Sequence, residues 1–251
     1  MSPTKIALIV FACVFGGALL GMFLRVLTPE HHRRQDSHDI IKLGMGLIAT
    51  MAALVLGLVI SAAKTSYDTQ NDAVKHSAAK ILLLDRMLAS YGPETKEMRD
   101  LLRRIVAYRF EEIWPEDCSP PTGLQGPVPN SQAFMAGILQ LSPKNDAQRW
   151  LQSRALEIGS DIMETRWLIL SALGSSIPLP FLVVVVFWLT IIFGSFGLFA
   201  PRNVTVVAVL FLCALSVAGS IFLVLEMDHP FQGLIKISSA PLRYTLALLG
   251  Q

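Results

Sequence analysis

Three places along the chain group residue types that do chemistry. The first is a polar stretch, residues 25–42, holding His31, His32, Asp36, His38 and Asp39. Imidazoles and carboxylates are metal ligands. Their spacing matches no metal-binding signature, and Arg33-Arg34 repels a cation. A solvated loop without metal is expected. The second is Asp228-His229, an acid beside an imidazole at the end of an apolar run. A lone dyad supplies half of an acid–base pair and no nucleophile, so a structural corner is expected. The chain has no phosphate-binding glycine loop, no CxxC pair, no HExxH and no serine in an elbow motif. No catalytic residue, metal site or cofactor is therefore expected, and the chain is not expected to be an enzyme.

The third place concerns passage rather than bond-making. Residues 43–63 read LGMGLIATMAALVLGLVISAA, 21 positions without a charge. At 1.5 Å per residue they extend roughly 32 Å, enough to span a bilayer. Ala49, Ala53, Gly57 and Ser61 recur every four positions and form one strip. In lipid, close backbone approach at small residues is a main source of helix association. Counted at 100° per residue, the opposite face carries Leu47, Met51, Leu54 and Leu58. Past the membrane that face continues as Thr65, Thr69, Asp72 and His76. An apolar stripe that turns polar outside the bilayer is the pattern of a pore wall with a hydrophobic constriction. It is equally the pattern of a lipid-facing stripe that enters water.

Composition puts these residues in a membrane. Of 251 residues, 53% are hydrophobic and 16% charged, and mean hydropathy is +0.52. That is too apolar for an ordinary soluble domain. Net charge is +2, and residues 64–176 hold 13 basic and 14 acidic residues, a net of −1. Nucleic-acid binding needs a basic footprint and is not expected. Cys13 and Cys213 lie in apolar runs and Cys118 in the polar region, so no disulfide framework is expected. That favours a reducing compartment for residues 64–176.

The elements that carry these residues follow from the uncharged runs. Residues 6–24 form a first span of 19. No small-x-small cleavage pattern follows it, so a retained helix is expected rather than a signal peptide. Gly17 and Gly21 make a GxxxG on it, a further helix-contact strip. The second span, 43–63, is expected to run on as one helix to about Tyr91, with Ile81, Leu82, Met87 and Leu88 on a buried side and Gly92-Pro93 as its stop. A helix over 93–114 buries Met98, Leu101, Leu102, Ile105, Val106 and Ile113. Residues 115–129 hold five prolines and read as a loop, followed by a short helix over 130–141. Ser142-Pro143 predicts the start of a long helix whose apolar face is Ala147, Trp150, Leu151, Ala155, Ile158 and Ile162. Arg166-Trp167 reads as an interface anchor. Residues 179–200 and 204–225 are two spans of 22, joined by Pro201-Arg202-Asn203 as an antiparallel hairpin. Pro241 opens a terminal helix ending at Gly250.

The fold class expected is all-α, an integral membrane protein with four transmembrane helices and a helical extramembrane layer. Its parts are 1–63, the first transmembrane pair; 64–176, the extramembrane helical region; 177–226, the second hairpin; and 227–251, the tail. No ionisable residue lies inside the four runs. Coupled carriers and pumps hold such groups to bind and release ions, so that class is disfavoured. Short flanks carry six basic residues on the side of the termini and helical layer and five on the other. The expectation is that termini and helical layer are cytoplasmic.

The tail adds a likeness. Asp228, Pro230, Phe231 and Gly233, within DHPFQG, with Ile235-Lys236-Ile237 and Pro241-Leu242 after them, resemble the closing D-x-P-F-x-G segment of a bacterial inner-membrane family termed bestrophin-like. ALVLGLVISAAKTSYD, the second span with its exit, is similar to that family as well. The resemblance covers nearly the whole layout. Bestrophins are homopentameric anion channels with the second span lining the pore and both termini cytoplasmic. They carry an acidic calcium-binding run after the fourth span, where this chain has only Glu226 and Asp228. The resemblance implies an oligomeric ion channel in a lipid bilayer, with itself and a permeant ion as partners. The alternative is a non-conducting sensor or scaffold whose helical layer binds a partner.

Overall fold

The computed structural model describes residues 2–27, 35–115, 130–171, 179–201, 203–231 and 233–251. These residues form helices and connections and, among them, no strand. In chain order the helices are α1 (Pro3–Leu27), α2 (Gln35–Tyr91), a 3-10 turn (Pro93–Thr95), α3 (Lys96–Ile113), α4 (Ser131–Leu139), α5 (Asp146–Ser171), α6 (Leu179–Phe199), α7 (Val204–Met227) and α8 (Ala240–Leu248). Four of them hold segments long and apolar enough to cross a membrane: Pro3–Arg25, Ile41–Tyr91, Leu179–Phe199 and Val204–Met227.

α2 is the longest element, 57 residues. It contains no proline, and it ends where Gly92 takes φ 140° and Pro93 follows. That φ belongs to glycine, and the proline cannot continue the ladder. The expected loop over 25–42 is shorter than its composition suggested, because α1 runs to Leu27 and α2 begins at Gln35. Asp36, His38 and Asp39 therefore fall in the first turns of α2, while His31 and His32 lie outside the described residues.

The chain divides into two compact units. The first is Met1–Tyr67 with Ser175–Ile235. Its core joins Val10, Val14, Ala18 and Met22 of α1, Val59 and Ala63 of α2, Phe193 of α6, and Leu210, Ala214, Ile221, Val224 and Leu225 of α7. Phe11 stacks on Phe15 at 5.6 Å, and both meet the edge of Phe211. α1 and α6 approach through glycine. A Cβ on Gly17 would lie 2.8 Å from Thr190 Cγ2, and one on Gly21 would collide with the carbonyl oxygen of Gly194. Gly197 meets the Ala18 carbonyl in the same way. The GxxxG of the first span thus serves a contact inside the chain. The Arg25 guanidinium donates to the Ala200 carbonyl beyond the last turn of α6, where carbonyls lack helical partners.

The second unit is Asp68–Gly174 with Lys236–Gln251. Ile81, Leu84 and Leu88 are the buried face of α2 there, with Leu82 and Met87 only half-buried. Leu102, Val106 and Phe110 answer from α3, Phe134 and Ile138 from α4, Ala155 and Ile158 from α5, and Leu242 from α8. Each fully buried leucine or isoleucine contributes roughly 1.5–3 kcal/mol. Polar ties fix the tail: Trp114 Nε1 donates to the Ile237 carbonyl at 3.0 Å, and Thr245 Oγ1 to the Ala78 carbonyl at 3.2 Å.

Two expectations for α5 are corrected. It starts at Asp146, not at Ser142-Pro143. Asn145 Oδ1 accepts from Gln148 N at 2.8 Å, and Gln148 Oε1 accepts from Lys144 N at 2.7 Å. This reciprocal cap is a stronger start than one serine. Ala147 and Trp150 are exposed, so the buried face begins at Ala155.

Candidate functional site

In the first unit, Leu47, Met51, Leu54 and Leu58 are 63%, 46%, 68% and 62% exposed. Thr65 is exposed too. In the second unit, Thr69, Asp72 and His76 are exposed. None of the eight is taken up by the core of its own unit. Asp72 Oδ1 accepts from Lys75 Nζ at 3.2 Å, an exposed pair one turn long.

The rest of the span explains why. Its inward face is Ala52, Val59 and Ala63. Only 6% of the α2 membrane window is buried, against 33%, 22% and 22% for α1, α6 and α7. The small strip is also uncovered: Ala53, Gly57 and Ser61 are exposed, Ala49 is half-buried, and a Cβ on Gly57 would meet nothing within 4 Å. Counted at 100° per residue, the leucine strip lies roughly 110° from the small strip, not opposite it. The buried face lies about 120–130° from each. α2 therefore presents three faces, one used by the chain's own core and two bare among the described residues.

The tail motif closes a corner at the end of α7. Asp228, 6% exposed, is the C-cap of α7, and His229 Nδ1 lies 3.2 Å from the Leu225 carbonyl. The dyad is this corner. Pro230 is buried and Phe231 half-buried. Gly233 has φ 111°, and a Cβ there would come within 3.0 Å of Glu226 Cδ. Glu226 is itself buried, and its Oε2 accepts from Leu234 N. The glycine is required twice, by its φ and by the carboxylate lying against it.

The buried roles of two carboxylates escaped the sequence reading. Glu226 stands at the C-terminal end of a helix, where the macrodipole disfavours an acid, and that placement was the available signal. Asp85 is 0% exposed and shares the buried face of Leu84 and Leu88. Arg99 grips it with two bonds, Nε to Oδ1 at 2.8 Å and Nη2 to Oδ2 at 3.0 Å. No group of three or more histidine, cysteine, aspartate or glutamate side chains suited to a metal occurs among the described residues.

No curated protein and no solved structure is detectably similar to the chain. A family model, that of the bestrophin-like domain, matches residues 12–242. The match runs from within α1, through the bare span of α2 and the corner at Gly233, into the first turn of α8. With four helices of spanning length inside or overlapping that match, the chain is a membrane protein and belongs to the bestrophin-like family.

Proposed function

We propose that copies of this chain assemble into an ion channel with α2 around the axis. The observation that carries the reading is the bareness of the α2 span, 6% buried beside neighbours at 22–33%. Four spans in one chain are too few to surround a water path comfortably, so subunits share it. In such a ring each helix needs one face toward its own subunit, one toward the next and one toward the axis. The three faces of α2 meet that requirement: Ala52, Val59 and Ala63 inward, the small strip toward the neighbour, and Leu47, Met51, Leu54 and Leu58 toward the axis. Thr65, Thr69, Asp72 and His76 then line a wetter vestibule.

The family likeness supports an anion as the permeant ion and five as the subunit number. The Asp72 carboxylate opposes an anion, and its Lys75 partner 3.2 Å away offsets it. The termini and the helical region 64–176 lie in the cytoplasm of a bacterial inner membrane in this reading. Planar-bilayer recording of purified protein tests it. Single-channel current with a reversal potential that follows one ion's gradient is expected. A sensor or scaffold gives no current over a range of ions, pH and voltage, and that result removes the channel.

A further inference from the structure

One concave surface of the second unit is used by nothing described so far. It is an open cleft of about 420 Å³ between α3, the start of α4 and α5, lined by Arg109, Asn130, Ser131, Gln132, Arg166 and Trp167 among others. Two guanidinium groups share it. Arg109 is 26% exposed and donates to Glu112 Oε2 at 2.5 Å. Arg166 is half-buried, and no acid pairs with it among the described residues. Burial and the like charge of Arg109 push the Arg166 pKa down, while Glu112 opposes them. Two like charges held in one cleft repel, and an anion between them removes that repulsion. The first turn of α4 adds backbone N–H groups and the positive end of its dipole, beyond the one N–H that Asn130 already caps. Trp167 and Leu168, 69% and 62% exposed, form an apolar margin beside the charges.

We propose that this cleft binds a phosphate group, with Arg166 and Arg109 as its forked donors. The guanidinium fork matches two phosphate oxygens, and helix N-termini bind the same anion. The group belongs to a lipid headgroup or to free phosphate. The indole and leucine at the margin suit a glycerophospholipid, and chain connectivity ties them to the membrane, Trp167 standing 12 positions before Leu179.

Calorimetric titration of the full chain in neutral detergent separates the sources. The probes are inorganic phosphate, short-chain phosphatidylglycerol and short-chain phosphatidylcholine. Saturable binding of phosphatidylglycerol alone assigns a lipid, and of inorganic phosphate alone a free anion. Preference for phosphatidylglycerol over phosphatidylcholine is expected. Arg166→Gln and Arg109→Gln should each weaken the bound probe on the order of tenfold, as loss of a charge-assisted contact does. Arg166→Lys should fall between, because the charge stays and the fork goes. Glu112→Gln should tighten binding, since it frees Arg109. Arg154→Gln, on the exposed side of α5 and paired with Glu157, should change nothing. Should Arg166→Gln not fold, the lysine and Glu112 variants carry the comparison. Binding of none of the probes, or binding that these variants leave at the wild-type level, overturns the proposal.

Discussion

Asp85 holds a carboxylate at zero exposure between α2 and α3, and only its partners make that tolerable. Arg99 supplies two charge-assisted bonds, and Gly250 N approaches Oδ2 at 3.5 Å. Arg99 also donates to the Gln251 carbonyl oxygen at 3.0 Å, so one guanidinium ties α2 and α3 to the tail. Removing one partner of such a pair costs roughly 3–5 kcal/mol, toward the lower end when the other reaches water, as Arg99 does. Asp85→Ala should therefore lower the thermal midpoint in detergent by several degrees, and a melt matching wild type would contradict the role given to the pair. Gly233→Ala should cost about 1–3 kcal/mol, from its φ and from contact with Glu226. A melting curve for that variant superposable on wild type would show that the corner relaxes freely. The motif of the tail was legible in the sequence, but its buried partner Glu226 was not, because eight positions separate it from Leu234 and only the folded turn brings them together. Asp85 was readable in principle, since 81, 84, 85 and 88 fall on one helical face. Charge outweighed register in that reading.

At the scale of elements, the four spans stood out because an uncharged run of about 20 residues matches the thickness of a bilayer and is rare in water-soluble chains. The start of α5 did not, because two capping signals three residues apart compete and only the reciprocal Asn145 and Gln148 bonds decide between them. Trp150 was misplaced for a different reason: an apolar residue in the right period stays exposed when its own side of the helix is left uncovered, although Gln148 and Gln152 bond Tyr91 and Ile138 from the same turns. The glycine strips could not be told apart from sequence, and their surroundings separate them. Gly21 faces the Gly194 backbone, whereas Gly57 faces nothing within 4 Å. Gly21→Leu should force α1 and α6 apart and destabilise the protomer by at least ~1–3 kcal/mol. Gly57→Leu should leave the melt of the single chain unchanged, since a Cβ there meets nothing within 4 Å, and on the proposed assembly it should reduce the assembled mass. Light scattering and thermal melts on both variants read the two effects separately. Equal assembly of Gly57→Leu and wild type would remove the small strip from the interface.

At the scale of the whole molecule, one reporter tests the proposed orientation. A topology reporter fused at Pro120 should read as cytoplasmic, and a periplasmic signal there inverts the orientation. In the proposed channel, conduction depends on assembly and on the leucine strip together. Narrow apolar rings exclude water and ions, so Leu54→Ser or Leu58→Ser should wet the constriction and raise unitary conductance severalfold. Asp72→Asn should change selectivity or conductance less, because water screens a vestibule charge and Lys75 already offsets it. If the strip faces lipid instead, the serine variants lose stability and leave conductance unchanged. A shared axis makes a stronger demand. Leu58→Ser gains its conductance from a ring of copies, so adding Gly57→Leu to it should abolish the current in step with the loss of assembled mass. A path enclosed within one chain would keep the raised conductance in that double variant, however little of it assembled. Recording and mass measured on the same preparation decide between the two.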